Sequence, residues 1–308
     1  MEKNAAIAIS LVAILAVAGT AAVIILTDDS DDKKYVYTTM SWQQEMVQEI
    51  VGDEYTVVSF LAPNTSPHAT EITPGIITSR NTVAYFAVGS GVEWEEVNLT
   101  TIRDQQGVTT FECCKELIDQ GVMDPLLERE EHEGSEDGHG HATDPHVWAS
   151  PERLALIAEY VRDMMADLEP ENAAVFEAGC ASYLAKVDVL IGLEQEHLTD
   201  KATTEIIVWH PSWAYLLPDD VTEVELMGVA EAASTPSSIA MLQGGTPENP
   251  INVFLSEPEQ IDGLTQKELW DMGIYVNIIV INILAENWVE YLGYVIETLG
   301  ENIPDAEI

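Results

Sequence analysis

The chain is poor in basic residues, and that shortage excludes more than any single motif. Of 308 residues only 12 are Lys or Arg, against 54 Asp or Glu, giving a formal net charge of −42. A surface this acidic repels the phosphates of nucleic acid and the headgroups of anionic lipid, so neither is expected as a partner. The acids are spread over every segment rather than gathered in one tail. That is the composition of a protein suited to concentrated salt, where at about 1 M the Debye length falls to roughly 3 Å and self-repulsion is screened. Cysteine is scarce as well. Cys113, Cys114 and Cys180 form an odd set with two adjacent, which is no disulfide framework, and they read as ordinary buried side chains. No His-Glu-x-x-His, no Gly-x-Ser-x-Gly and no phosphate-cradling glycine loop occurs. No repeat with a period of tens of residues is visible.

One long uncharged run stands against these absences. Ala5 to Leu26 is made of Ala, Ile, Val and Leu with a few small polar residues, long enough to cross a bilayer as a helix. Ala16-Val17-Ala18 could serve as a cleavage site, yet the run continues for eight residues beyond it, which favours an uncleaved anchor. No cysteine lies near the end of the run to carry a lipid, and Thr27 to Lys34 is a hydrophilic spacer. The expected location is therefore the outer face of the cell membrane.

From Lys34 onward, short apolar strands alternate with longer amphipathic stretches, the pattern of βαβ units and a mostly parallel sheet. Strands are predicted at Tyr35–Thr39, Thr56–Leu61 and Thr82–Val88, and again at Glu205–Trp209, Val221–Leu226, Asn252–Leu255 and Tyr275–Ile281. Helices are predicted at Ser41–Val51, closed by Gly52, at Pro151 to about Leu168 behind an N-capping Ser150, and at Trp288–Leu299, stopped by Gly300. Between the halves, Pro170 to Leu198 places Phe176, Cys180, Tyr183, Val187, Leu190 and Glu194 on one helical face. Such a helix spans about 42 Å, enough to join two lobes. The predicted organisation is residues 1–34 as anchor and spacer, 35–169 as an N-terminal lobe, 170–199 as the interlobe helix and 200–308 as a C-terminal lobe.

Four of the seven histidines fall between His132 and His146, in an acidic, glycine-rich stretch that cannot build a core. His132, His139 and His141, within the loop 128–143, suit metal gathering: neutral nitrogen ligands beside carboxylates on a pliant backbone. His146 differs, because Asp144-Pro145-His146-Val147-Trp148 is stiffened by Pro145, anchored by Trp148 and followed by Ser150-Pro151. His68 lies in the loop after the second strand, and His210 sits directly off a hydrophobic strand. Open α/β sheets bind ligands at those carboxyl ends. Zn²⁺ favours imidazole, and three such ligands leave one position of a tetrahedron. His197 reads as a solvated helix-end residue. Three histidines and a water also describe a catalytic zinc site, so a zinc-dependent hydrolase is the rival class, with Glu71 or Glu257 as a conceivable base.

Taken in order, several of these segments resemble one family: the metal-binding receptors of ABC importers for zinc and manganese. They are Pro67-His68 with Glu71 and Pro74, the histidine-rich loop, Asp144 to Trp148 with Ser150-Pro151, the long helix, Trp209-His210 with Tyr215, and Phe254-Leu255-Ser256-Glu257-Pro258. The likeness covers about Tyr35 to Leu299. It implies two α/β lobes joined by one rigid helix, with the metal between them. It further implies His68, His146 and His210 as zinc ligands, Glu71 as a supporting carboxylate, and an ABC transporter permease with its ATPase as partners. A histidine in the third position and a histidine-rich loop go with zinc receptors; manganese receptors typically carry a carboxylate there. The chain departs from the pattern at Asn282, where the family often has Asp. A neutral amide is the poorer ligand, and water or Glu257 are the alternatives for that position. The implied role is a receptor that does no chemistry; a manganese receptor or an exported zinc store would be variants on the same fold.

Overall fold

The computed structural model describes residues 13–17, 20–24, 34–68, 81–105, 108–128, 143–226, 242–256 and 266–306. Within the N-terminal apolar run the structure departs from the expected helix. Strands β1 (Ala13–Val17) and β2 (Thr20–Ile24) pair antiparallel, Ala13 opposite Ile24 and Val17 opposite Thr20. Among the described residues no helix is long and apolar enough to cross a membrane. The run is rich in β-branched Val, Ile and Thr, which favour extended pairing wherever no bilayer forces each segment to satisfy its own backbone.

The N-terminal lobe is built on a parallel sheet of β3 (Lys34–Thr38), β4 (Tyr55–Ser59), β5 (Thr82–Ala87) and β6 (Thr110–Glu112), in the order β4-β3-β5-β6. Helix α1 (Ser41–Val51) buries Trp42, Met46 and Ile50, the stripe its spacing predicts. Gln43 Oε1 accepts from the amides of Thr39 and Met40 at 3.2 Å each, and Gly52 ends the helix at φ 74°, a left-handed value suited to glycine. Helix α2 (Glu93–Thr100) and strand β6 escaped sequence reading. A three-residue strand and an acid-rich helix of two turns are too short for periodicity to show. Helix α3 (Cys113–Asp119) follows, and all three cysteines are buried free thiols. Helix α4 (Pro151–Leu168) starts as expected, with Ser150 Oγ accepting from Arg153 N at 3.3 Å and Pro151 in the first turn.

Helix α5 (Ala173–His197) is the strut between the lobes, about 37 Å long at 1.5 Å per residue. It begins later than the sequence suggests because Pro170–Asn172 forms a 3₁₀ turn. Its buried face is Phe176, Cys180, Tyr183, Val187 and Leu190. It packs on α1 and α4 on one side, and on the last helix of the C-terminal lobe on the other. The contact with α1 depends on Gly179, where an added Cβ would sit 2.3 Å from the carbonyl oxygen of Glu49.

The C-terminal lobe repeats the plan. Strands β7 (Thr204–Val208), β8 (Val221–Glu225), β9 (Ile251–Leu255) and β10 (Val276–Val280) are all parallel in the order β10-β9-β7-β8. Helices α6 (Gln266–Asp271) and α7 (Trp288–Asn302) flank them. Gly300 does not stop α7, which runs on to Asn302. Its role is close approach: a Cβ there would meet the His197 Cβ at 2.7 Å.

One continuous core runs through both lobes, with a smaller cluster of Leu226, Val253, Leu255 and Val276 in the second. Polar links reinforce the junction. Trp148 Nε1 donates to Ile283 O at 3.1 Å, and Trp288 Nε1 donates to Trp148 O at 2.9 Å. The Glu45 carboxylate of α1 accepts from the amides of Asn287 and Trp288 at 2.7 and 2.8 Å, capping the start of α7 with the negative charge a helix N-terminus favours.

Candidate metal centre

Three loops at the carboxyl ends of the two sheets bring three histidines together. His68 closes the loop after β4, where its amide donates to Ser66 Oγ at 3.3 Å and Trp94 N donates to Pro67 O at 3.1 Å, tying the loop to α2. His146 heads a 3₁₀ turn, Val147–Ala149, in which Val147 N donates to Pro145 O at 2.8 Å. Ser90 Oγ, from the loop after β5, donates to the same Pro145 carbonyl at 2.8 Å. That loop is itself held by a buried carboxylate. Glu95 accepts from the amides of Val88 and Gly89 at 2.6 and 2.9 Å and from the Thr39 hydroxyl, while burial pushes its pKa up. His210 leaves the end of β7, its carbonyl accepting from Ser256 Oγ at 3.1 Å and Ser212 Oγ at 3.3 Å. Glu223 Oε1 receives the amides of Ser212 and Trp213 at 3.0 and 3.2 Å and so fixes the turn that follows.

The rings face one another edge to face. Centroid separations are 5.9 Å for His68 and His146, 5.2 Å for His68 and His210, and 5.4 Å for His146 and His210. One ring nitrogen from each lies within 4.8 Å of the other two. Each Nδ1 has a carboxylate beside it: Asp144 Oδ1 at 2.7 Å from His146, Glu93 Oε2 at 3.3 Å from His68 and Glu225 Oε1 at 3.6 Å from His210. The three Nε2 atoms are buried. A carboxylate that accepts a hydrogen bond from Nδ1–H, as Asp144 does at His146, fixes the tautomer with the Nε2 lone pair available. Three imidazole nitrogens this close together, with a carboxylate beside each ring, make a donor set suited to a divalent, borderline-soft cation, with a tetrahedral position left over.

Of the residues singled out by sequence, the structure joins His68, His146 and His210. Asn282 has its carboxamide engaged elsewhere: Nδ2 donates to Asn64 Oδ1 at 2.6 Å, and Oδ1 accepts from Leu284 N at 2.9 Å. Glu71, Glu257, His132, His139 and His141 lie outside the described residues. His197, near the end of α5, packs against Gly300. Sequence reading missed Glu93, Glu225 and the role of Asp144. The clue for Glu225 is its place at the carboxyl end of β8, beside the strand that delivers His210.

The model of one protein family, described as ZnuA, zinc-uptake complex component A periplasmic, matches residues 36–301. Over 261 residues the chain is 24% identical to the zinc-binding lipoprotein AdcA of Streptococcus pneumoniae, a match covering 81% of this chain and 50% of that protein. It therefore spans about half the length of that relative. Over 242 residues it is 27% identical to the high-affinity zinc uptake system protein ZnuA of Bacillus subtilis, covering 75% of this chain and 72% of the other. Among solved structures, a crystal structure of ZnuA matches with a TM-score of 0.66 at 21% identity, covering 88% of this chain and 99% of that one. A likeness at that identity speaks for the fold: two lobes, each with a parallel sheet, and a long helix between them.

Proposed function

The chain belongs to the zinc-uptake complex component A family, and from that membership we propose that it is a receptor that captures Zn²⁺ outside the cell membrane and hands it to an ABC transporter permease powered by an ATPase. The ion is cargo, and no bond is made or broken. The observation that carries this reading is the convergence of three histidine nitrogens within 4.8 Å, each ring backed by a carboxylate. His68, His146 and His210 are the ligands. The fourth position goes to water or to the Glu257 carboxylate, with Glu71 in support, because the amide of Asn282 is already used. His132, His139 and His141 gather ions ahead of the site, Zn²⁺ in preference to Mn²⁺, which the all-imidazole set disfavours.

Titration with Zn²⁺ by calorimetry in high salt tests the site. One tight site is expected, lost in His146→Ala or His210→Ala and kept when His132, His139 and His141 are replaced together. Tight binding that survives both single substitutions would sink the assignment. Delivery is tested in cells: deleting the gene should abolish growth at limiting zinc, with rescue by excess zinc, and unchanged zinc uptake would refute the transport role. The uncharged run 5–26 is proposed to hold the receptor at the outer membrane face, and the acidic surface to keep it soluble in concentrated salt. Release into the medium of a chain still carrying residues 1–34 would exclude that attachment.

A further inference from the structure

The residues on either side of the histidine-rich stretch, Leu127–Glu128 and Thr143–Asp144, meet as a stem. Glu128 and Thr143 form an antiparallel bridge, and Asp144 N donates to Leu127 O at 2.8 Å. Both sides of this stem are held by one side chain of the opposite lobe. The Tyr215 hydroxyl accepts from Leu127 N at 3.0 Å and donates to Asp144 O at 2.8 Å. The Arg153 guanidinium lies 4.6 Å from the centre of the Tyr215 ring, and it donates to Asp124 O at 3.1 Å and Pro125 O at 3.0 Å, just ahead of the stem. In a chain with only 12 Lys and Arg, one of them is committed to this clamp. Burial pushes the Tyr215 phenol up to about 12, so it stays protonated and keeps donating across ordinary pH.

The two ends of this link both belong to the metal centre. Tyr215 follows His210 on the turn braced by Glu223, with the amides of Leu216 and Leu217 bonded to Trp213 O. Asp144 is the residue whose carboxylate takes both the amide and Nδ1 of His146, at 2.9 and 2.7 Å. We propose that Tyr215 is a positioning residue. It ties the stem of the histidine-rich loop to the C-terminal lobe and, acting through Asp144, sets the orientation in which His146 meets its metal. This rests on the zinc reading above.

Tyr215→Phe in the full chain keeps the ring and its stacking on Arg153 and removes only the hydroxyl. Loss of this pair of partly exposed hydrogen bonds should weaken Zn²⁺ binding in a competition titration by roughly 3–10-fold. The visible bands of bound Co²⁺ should shift, and the Leu127 amide should exchange faster with deuterium. The loss in affinity should be the same when His132, His139 and His141 are also replaced, because positioning and gathering are separate. A milder variant, Arg153→Gln, should move all three readouts in the same direction by less. Wild-type affinity and an unshifted Co²⁺ spectrum in either variant, with only faster exchange or a lower melting temperature, would overturn the proposal and leave Tyr215 a structural strut. His146→Ala, run alongside, separates the two failures: tight binding there removes the zinc site itself, whatever Tyr215→Phe does.

Discussion

The two lobes hold their clustered histidines, His146 and His210, with unequal firmness. In the N-terminal lobe His146 is fully buried, receives two contacts from one carboxylate, and sits on a turn pinned by Ser90 below and Trp148 beside it. In the C-terminal lobe His210 has its carboxylate at 3.6 Å, beyond hydrogen-bond distance, and its two buried ring nitrogens have no hydrogen bond among the described residues. A buried imidazole left in that state is costly unless something else takes it up, and a metal ion does so. Under the function proposed above, the N-terminal lobe presents a pre-built half-site, and the C-terminal lobe supplies the ligand that gains most from the ion.

The sharpest way to break that comparison is to remove one carboxylate at a time. Asp144→Asn takes the charge from a residue that fixes both the backbone and the ring of His146, and loss of such a partner typically costs about 10–100-fold in metal affinity. Glu225→Gln alters a contact longer than a hydrogen bond, and its cost should stay near 3-fold. Competition titration of both variants in one salt reads the ratio directly. Equal losses would mean that His210 is as firmly oriented in the loaded protein as His146, and the asymmetry would then belong to the metal-free protein alone.

Next in size is a test at the junction. Asn282 and Asn64 hydrogen-bond across the lobes at 2.6 Å, and Asn64 N donates to Leu284 O at 3.0 Å with Asn64 in a left-handed conformation at φ 61°. Asn282→Asp replaces a donor by a second acceptor facing an oxygen. Denaturant unfolding should show a loss of about 1–2 kcal/mol, the cost of an unmade hydrogen bond, with zinc affinity unchanged. A tenfold rise in affinity would instead put position 282 within reach of the ion and return it to the ligand set.

Much of this was legible from residues alone, for identifiable reasons. His68, His146 and His210 stand out because histidine is rare here and because the ends of parallel strands are where ligands gather. Ser150-Pro151 and Gly52 announce helix ends through chemistry that is local to them. Glu93 and Glu225 were hidden by composition: among 54 acids a carboxylate that serves the site looks like any other. Gly179 and Gly300 were hidden by ambiguity, since a glycine that reads as a breaker can equally be a point of helix contact, and only the packing of α5 on α1 and α7 tells the two apart. The apolar run near the N-terminus has the length of a spanning helix and the β-branched content of paired strands, and length alone did not decide between them.

The smallest expected effect lies on the strut that joins the compared halves. The inner face of α5 is apolar from Phe176 to Leu190, but at its C-terminal end Glu194 is half-buried. Burial, with the Glu152 charge adding to it, pushes its pKa up to about 7. Between the ordinary carboxylate value and about 7 the folded protein therefore binds more protons at this site than the unfolded chain, so its contribution to stability falls as pH rises through that window. A shift of this size is worth about 3 kcal/mol in a dry site and nearer 1 kcal/mol after solvent screening at a partly exposed side chain. Glu194→Gln should accordingly leave stability unchanged near pH 5 and raise it by about 1 kcal/mol near pH 8. Molar salt screens the repulsion from Glu152 but not the desolvation, so most of the difference should persist there. Equal stabilisation at both pH values would mean that the carboxylate is hydrated in the folded protein, and that the C-terminal end of the strut is no drier than its outer face.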